Sequence, residues 1–87
     1  MVEFTHTIKA ESGLHARPAG LISSAVRNTK SSVVIYYDVK NRCADGSRLL
    51  SIMSLGATCG TELRFEIEGE DENEAMATLK EICEASI

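Results

Sequence analysis

The feature that most constrains the fold is a strict alternation of apolar and charged residues between positions 61 and 68. Leu63, Phe65 and Ile67 alternate there with four charged residues, Glu62, Arg64, Glu66 and Glu68. A period of two predicts a β-strand with one face in a core and the other in water. The chain therefore needs a sheet that other elements cover from one side only.

The remaining sequence predicts three more strands and three helices. With the strand at Thr61–Glu68, the predicted strands are Val2–Lys9, Ser32–Tyr37 and Lys40–Ala44. The longer helices span Ala16–Asn28 and Glu72–Ala85. A short helix after Ser47 would carry Leu49, Leu50, Ile52 and Met53, with Ser47 as its N-cap. The order β-α-β-β-α-β-α predicts the α+β class, as an open-faced two-layer sandwich. Its four-stranded antiparallel sheet would be covered on one face by the three helices.

Spacing within these elements predicts which side chains are buried. The first helix has an apolar stripe of Leu21, Ile22, Ala25 and Val26. The last helix has a stripe of Ala75, Met76, Leu79, Ile82 and Cys83. His6 has the parity of the apolar residues in the first strand, so we interpret it as a partly buried structural imidazole.

Composition excludes several classes of protein. A chain of 87 residues, 44% apolar and 25% charged, is expected to form one domain over residues 1–87 without a deep catalytic cavity. The formal charge of −4 argues against nucleic-acid binding, although most acids come late in the chain. No apolar run approaches the roughly 20 residues of a membrane span. Cys43, Cys59 and Cys83 lack metal-site spacing, so we expect no metal site, reduced thiols and a cytoplasmic location.

One segment carries chemistry, and it runs from Ser12 to Ala19. His15 stands where a strand-ending glycine meets the start of a helix, whose unpaired N–H groups favour an anion. Arg17 adds a guanidinium that can bind phosphate oxygens in pairs, and a first-turn Pro18 is tolerated there. A neutral imidazole has a free ring nitrogen that can act as a nucleophile. The residues suggest a transient phosphoryl site, with a histidine that is a cap or a surface residue and a solvated arginine as the simpler alternative.

The segment Gly13–Ala19 resembles the active-site motif of the HPr family, histidine-containing phosphocarriers of the bacterial sugar phosphotransferase system. The resemblance covers essentially the whole chain, including the blocks Ile52–Gly56, Gly60–Glu62 and Gly69–Glu72. It implies that His15 accepts a phosphoryl group on Nδ1 from Enzyme I and passes it to an EIIA component of a sugar permease. Arg17 and the backbone N–H groups of Ala16 and Arg17 would stabilise the phosphoryl oxygens.

The same resemblance implies a carrier that needs no cofactor and is not an enzyme by itself. We expect a monomer, although the sequence does not determine the oligomeric state. In the family, an apolar surface of the second helix docks both partners. It maps here onto Leu49, Leu50 and Met53, and we expect two of these three to be partly exposed, because so short a helix cannot bury every apolar residue. Simple core packing is the alternative for the three.

The chain departs from the family at a regulatory serine that many members carry at the start of the second helix. Arg48 aligns with that serine, and Ser47 precedes it. Either the serine has shifted by one residue, and a serine kinase is a further partner, or this regulation is absent; we favour an N-cap role for Ser47. Two alternatives to sugar relay also remain. One is a regulatory module that binds a transcription factor or enzyme, and the other is a carrier in a nitrogen-regulating or dihydroxyacetone branch.

Overall fold

The computed structural model describes residues 1–87 and has the predicted order of elements. The strands are β1 (Val2–Thr7), β2 (Ser31–Tyr37), β3 (Arg42–Asp45) and β4 (Glu62–Gly69). The helices are α1 (Ala16–Arg27), α2 (Leu49–Met53) and α3 (Glu72–Ser86), and a 3₁₀ turn spans Asp38–Lys40. β3 therefore begins at Arg42 and not at Lys40 as predicted. Lys40 belongs to the 3₁₀ turn, which ends at Asn41 with a left-handed φ of 53°.

The four strands form one antiparallel sheet in the order β1-β4-β2-β3. β4 therefore lies between β1 and β2, although it is the last strand in the chain. Its Leu63, Phe65 and Ile67 are fully buried, and Phe65 stacks on Phe4 of β1 with ring centroids 4.6 Å apart. The predicted alternation is confirmed, and the α+β open-faced sandwich with it.

All three helices contribute to the same core as the sheet. Ile22 of α1, Ile52 of α2 and Leu79 of α3 are each almost completely buried within one cluster of apolar side chains. Each helix is too short or too polar to cross a membrane. Of the three cysteines, Cys83 lies in this core, where burial raises the pKa of its thiol to about 12, while Cys43 and Cys59 are exposed.

Two predictions about side-chain environments are wrong. Leu21 belongs to the apolar stripe of the first helix by spacing, yet it is 47% exposed, because α1 packs its Pro18–Ile22–Val26 side against the core. Ser47 is not the N-cap of α2: Arg48 holds that position, and no side chain caps the helix. The Ser47 hydroxyl donates a hydrogen bond to Asp45 Oδ1 instead, at 2.7 Å.

His6 is half-buried on the covered side of the sheet, as its parity predicts. Its Nε2 is inaccessible to solvent and has no hydrogen-bond partner. A ring nitrogen enclosed in this way is a poor nucleophile toward another protein, which supports the structural interpretation of His6.

The open face of the sheet is strongly charged. Arg64 lies at its centre over the ring of Tyr36, with its Cζ 4.2 Å from the ring centroid. It pairs with the carboxylates of Asp38, Glu66 and Glu3. The guanidinium holds the pKa of Asp38 below its ordinary value through a hydrogen bond. This polar network keeps the face in water, as the alternation in β4 requires.

Asp71 ties the start of β2 to the start of α3. Its carboxylate accepts hydrogen bonds from the Ser31 hydroxyl and the Lys30 backbone N–H, which hold its pKa below the ordinary value of 3.8. Because the pKa of Asp71 is lower in the folded protein than in the unfolded chain, its charge stabilises the fold at pH values above the unfolded-state pKa. This stabilisation is lost as the pH falls through the folded-state pKa.

We therefore expect Asp71→Asn to lower the urea midpoint of unfolding at about pH 7, with the deficit shrinking as the pH falls below about 4. Glu70→Gln is the matched control, because Glu70 is exposed and contacts only the Lys30 ammonium, at 3.8 Å. The midpoints are measured by circular dichroism at several pH values. A deficit that stays constant with pH would contradict the role of the Asp71 charge.

Candidate functional site

The backbone before His15 is held by the loop that precedes β4. Gly13 has a φ of 67°, and the Leu14 N–H donates to the Ala57 carbonyl at 3.0 Å. The Leu14 side chain is buried in the core and anchors the segment from the other side. His15 therefore begins the helix from a fixed position, although its own side chain is exposed.

His15 is the N-cap residue of α1. Its backbone is extended, with φ −94° and ψ −175°, and its carbonyl accepts a hydrogen bond from the Ala19 N–H at 3.1 Å. The imidazole makes no capping hydrogen bond. The predicted helix start is thus confirmed, while the capping alternative for the histidine is wrong.

The first turn of α1 leaves two backbone donors unused. The N–H groups of Ala16 and Arg17 have no partner in the protein, and Pro18 has no N–H to satisfy. The Arg17 side chain is exposed and forms no ion pair or hydrogen bond. A free imidazole, a free guanidinium and two free amides lie together at the positive end of a helix dipole, which is the composition of an anion site.

These residues border a shallow depression of about 290 Å³. Its lining comprises His15, Arg17, Pro18, Leu21, Ala85 and Ser86. The last two residues belong to the final turn of α3, about 70 positions away in sequence. Sequence reasoning missed Leu21, Ala85 and Ser86, and no motif signals them, because only the packing of α3 against α1 brings them to His15.

A larger depression, of about 630 Å³, lies at the other end of α1 and is lined in part by Arg27, Cys43 and Asp45. It contains no histidine. No group of three or more histidine, cysteine or carboxylate side chains is arranged to hold a metal ion. The presence of His15 therefore favours the smaller depression as the functional site.

The residues mapped to partner docking form a second exposed patch. Leu49, Leu50 and Met53 all project outward from α2. Three of these residues are therefore exposed, where the sequence predicted two. Ile52 and Leu55 are the buried residues of this segment. The orientation is fixed by two contacts to β3: the Asp45 N–H donates to Ser51 Oγ, and Arg42 Nη1 donates to the Leu55 carbonyl.

Charge is distributed unevenly between the two sides of the molecule. Residues 12–37 and 46–61, which include α1 and α2, contain no acidic side chain. Arg17 borders His15, while Arg27 and Arg48 lie with Leu49 and Leu50 around a shared depression, in which Asp45 is the one acidic residue. The surface formed by α1 and α2 is therefore cationic, although the whole chain has a charge of −4.

Comparison with known proteins identifies the family. A family model described as the PTS HPr component phosphorylation site matches residues 2–85. The chain belongs to the HPr family. It is 32% identical to the phosphocarrier protein HPr of Xylella fastidiosa over 84 residues, covering 97% of this chain and 92% of that protein. Over 87 residues, or 99% of this chain, it is 31% identical to the multiphosphoryl transfer protein of Haemophilus influenzae, but it spans only 17% of that protein's length.

Solved structures of HPr proteins have the same fold. HPr-C-His from Thermoanaerobacter tengcongensis matches with a TM-score of 0.89 and 35% identity, covering 98% of this chain and 93% of that one. Crh, the catabolite repression protein of Bacillus subtilis, matches with a TM-score of 0.75 and 29% identity, covering 100% and 98% of the two chains, and that structure is a swapped dimer. The fold implied by the sequence resemblance is therefore confirmed.

Gly13 gives a test of how the site is held. A Cβ at this position would lie 2.7 Å from the Ala57 oxygen, and φ 67° is unfavourable for any side chain. We expect Gly13→Ala to lower the free energy of unfolding by about 1–3 kcal/mol.

Gly20→Ala is the matched control, because this α1 position has open space around it. It should raise the free energy of unfolding by about 0.5–1 kcal/mol, since glycine is unfavourable inside a helix. Urea denaturation followed by circular dichroism measures both variants. Equal stability of Gly13→Ala and the unsubstituted protein would show that the 13–57 contact does not hold the site.

Proposed function

We propose that residues 1–87 form one phosphocarrier domain, in which His15 accepts a phosphoryl group from Enzyme I and passes it to an EIIA component for sugar uptake. The observation that carries the proposal is the set of unengaged groups at the start of α1. His15 and Arg17 make no internal contact, and the amides of Ala16 and Arg17 have no partner. Unpaired N–H groups at a helix start attract an anion, and here an exposed imidazole and an exposed guanidinium lie beside them.

The roles divide between nucleophile and stabilising groups. A ring nitrogen of His15, Nδ1 by family resemblance, attacks phosphorus as the bond to the Enzyme I donor breaks. Arg17 and the two free amides then carry the negative charge of the phosphoryl oxygens. Because His15 is exposed, the second transfer follows the same path in reverse, with the EIIA component as nucleophile.

The surface around the site suits transient partners. Leu49, Leu50 and Met53 are an apolar patch, and Arg27 and Arg48 line a depression beside Leu49 and Leu50, together with Asp45. A small apolar patch with a cationic rim favours fast association with an acidic protein surface and a short-lived complex. We propose that this patch docks Enzyme I and EIIA in turn, from the cytoplasm and with the carrier as a monomer.

A regulatory module is the second candidate, and its support is the similarity to Crh. The free His15 and Arg17 favour relay, because a purely regulatory module does not need both. Transfer from the phosphorylated protein to EIIA separates the two functions. Regulation through Ser47 stays outside the main proposal, since Arg48 occupies the aligned serine position.

The first test is intact-mass analysis after mixing the protein with phosphoenolpyruvate, magnesium and a bacterial Enzyme I. We expect one acid-labile, base-stable phosphoryl adduct, and we expect His15→Ala to abolish it without unfolding the protein. His6→Gln is the control and should still be labelled. Persistent labelling of His15→Ala would place the phosphoryl group elsewhere.

A second test addresses docking. Leu50 is 80% exposed, so Leu50→Glu should change the free energy of unfolding by less than about 0.5 kcal/mol. It should nevertheless raise the KM of Enzyme I for the carrier about tenfold, because a charge replaces an apolar contact. Val39→Glu is the matched control, since Val39 is 85% exposed but lies on the β2–β3 turn. A larger effect on stability than on KM, or an equal KM effect at Val39, would refute docking through α2.

A further inference from the structure

The last turn of α3 forms one side of the depression at His15. Ser86 and Ala85 line it opposite the start of α1. The backbone there is well held, because the Ile87 carbonyl accepts hydrogen bonds from the N–H groups of Lys9 and Ala10, and the Ile87 side chain is buried. The position of Ser86 relative to the segment that carries His15 is therefore set by the core.

The Ser86 hydroxyl is a polar group without a partner. It makes no hydrogen bond within the protein, although the residue is half-buried. The other side chains that line the depression with His15 and Arg17 are Pro18, Leu21 and Ala85, and none of these can donate a hydrogen bond. Ser86 is thus the one further side-chain donor in this lining.

We propose that Ser86 is a phosphoryl-binding residue: when His15 carries a phosphoryl group, the Ser86 hydroxyl donates a hydrogen bond to one of its oxygens. This inference rests on the proposed function. A phosphoryl group presents three strong acceptor oxygens, and Arg17 with the amides of Ala16 and Arg17 reaches them from the α1 side. Ser86 reaches them from the α3 side, so two elements far apart in sequence hold the group between them.

The contact also answers an electrostatic problem. The C-terminal end of a helix carries a partial negative charge, which repels a phosphoryl group. A serine hydroxyl that donates from this end presents a positive hydrogen toward the anion. Ser86 should therefore slow loss of the phosphoryl group to water, and so lengthen the time in which the carrier can meet its acceptor.

The test loads the protein chemically, so that it does not depend on Enzyme I. Phosphoramidate transfers its phosphoryl group to an imidazole nitrogen: the N–P bond of the reagent breaks, a new N–P bond forms, and ammonia leaves with the proton that the ring loses. In the His15→Ala variant His6 is the remaining histidine, so any phosphohistidine signal from that variant comes from His6. The rate of phosphoryl loss is then followed by ³¹P NMR and intact mass.

We expect Ser86→Ala to lose the phosphoryl group about tenfold faster, in line with the loss of one hydrogen bond to a charged group. Ser86→Thr should restore the slow rate, because it restores the hydroxyl. Ser24→Ala is the matched control, since Ser24 is an exposed serine of α1 outside the depression. Equal thermal stability of all variants would exclude a merely structural effect.

The outcomes separate this inference from the proposed function. If Enzyme I labels His15 but Ser86→Ala and the unsubstituted protein lose phosphate at the same rate, the role of Ser86 is refuted and the relay stands. If Enzyme I gives no adduct but the chemically loaded protein shows the Ser86 effect, the site binds phosphoryl and the assigned donor is wrong. If His15 takes no phosphoryl group from either source, both are wrong.

Discussion

β4 is the strand on which the other elements depend, because it is the only strand paired on one edge with β1 and on the other with β2. Its three fully buried side chains form the floor against which the helices pack. Since β1 and β2 both run antiparallel to β4, the end of β1 and the loop before β4 meet at one end of the sheet. That meeting brings Ala57 to Leu14 and so fixes the backbone that leads into His15.

The site combines a rigid support with unsatisfied chemistry. Leu14 and Pro18 are buried on either side of His15, while His15, Ala16 and Arg17 are exposed between them. An N-cap side chain that bonded to the helix would contribute about 1 kcal/mol of stability. The His15 side chain makes no such hydrogen bond at α1, so the imidazole and the free amides remain available to a phosphoryl group. A relay requires such a site, since each partner must reach the histidine in turn.

Charged residues are distributed unevenly over the surface of the protein. Most of the acidic residues lie on the open sheet face and on α3, whereas α1 and the Arg48 N-cap of α2 carry arginines and no acidic side chain. Net charge alone therefore says little about which partners α1 and α2 attract. A phosphoryl group on His15 adds negative charge beside Arg17, whose guanidinium forms no ion pair within the protein, and this favours binding of the phosphoryl group.

The sequence by itself determined the element order, the buried face of β4 and the segment that carries His15 and Arg17, because alternation, helical spacing and a short motif are local properties. Only the tertiary structure decided that Leu21 is exposed, that Asp45 engages Ser47 in place of the α2 N-terminus, and that all of Leu49, Leu50 and Met53 point outward. It also decided that Ser86 lies beside His15. Periodicity shows that a helix has an apolar face, but the neighbouring elements determine how much of that face is covered. No spacing rule connects residues about 70 positions apart, since their contact arises from the packing of α3 against α1.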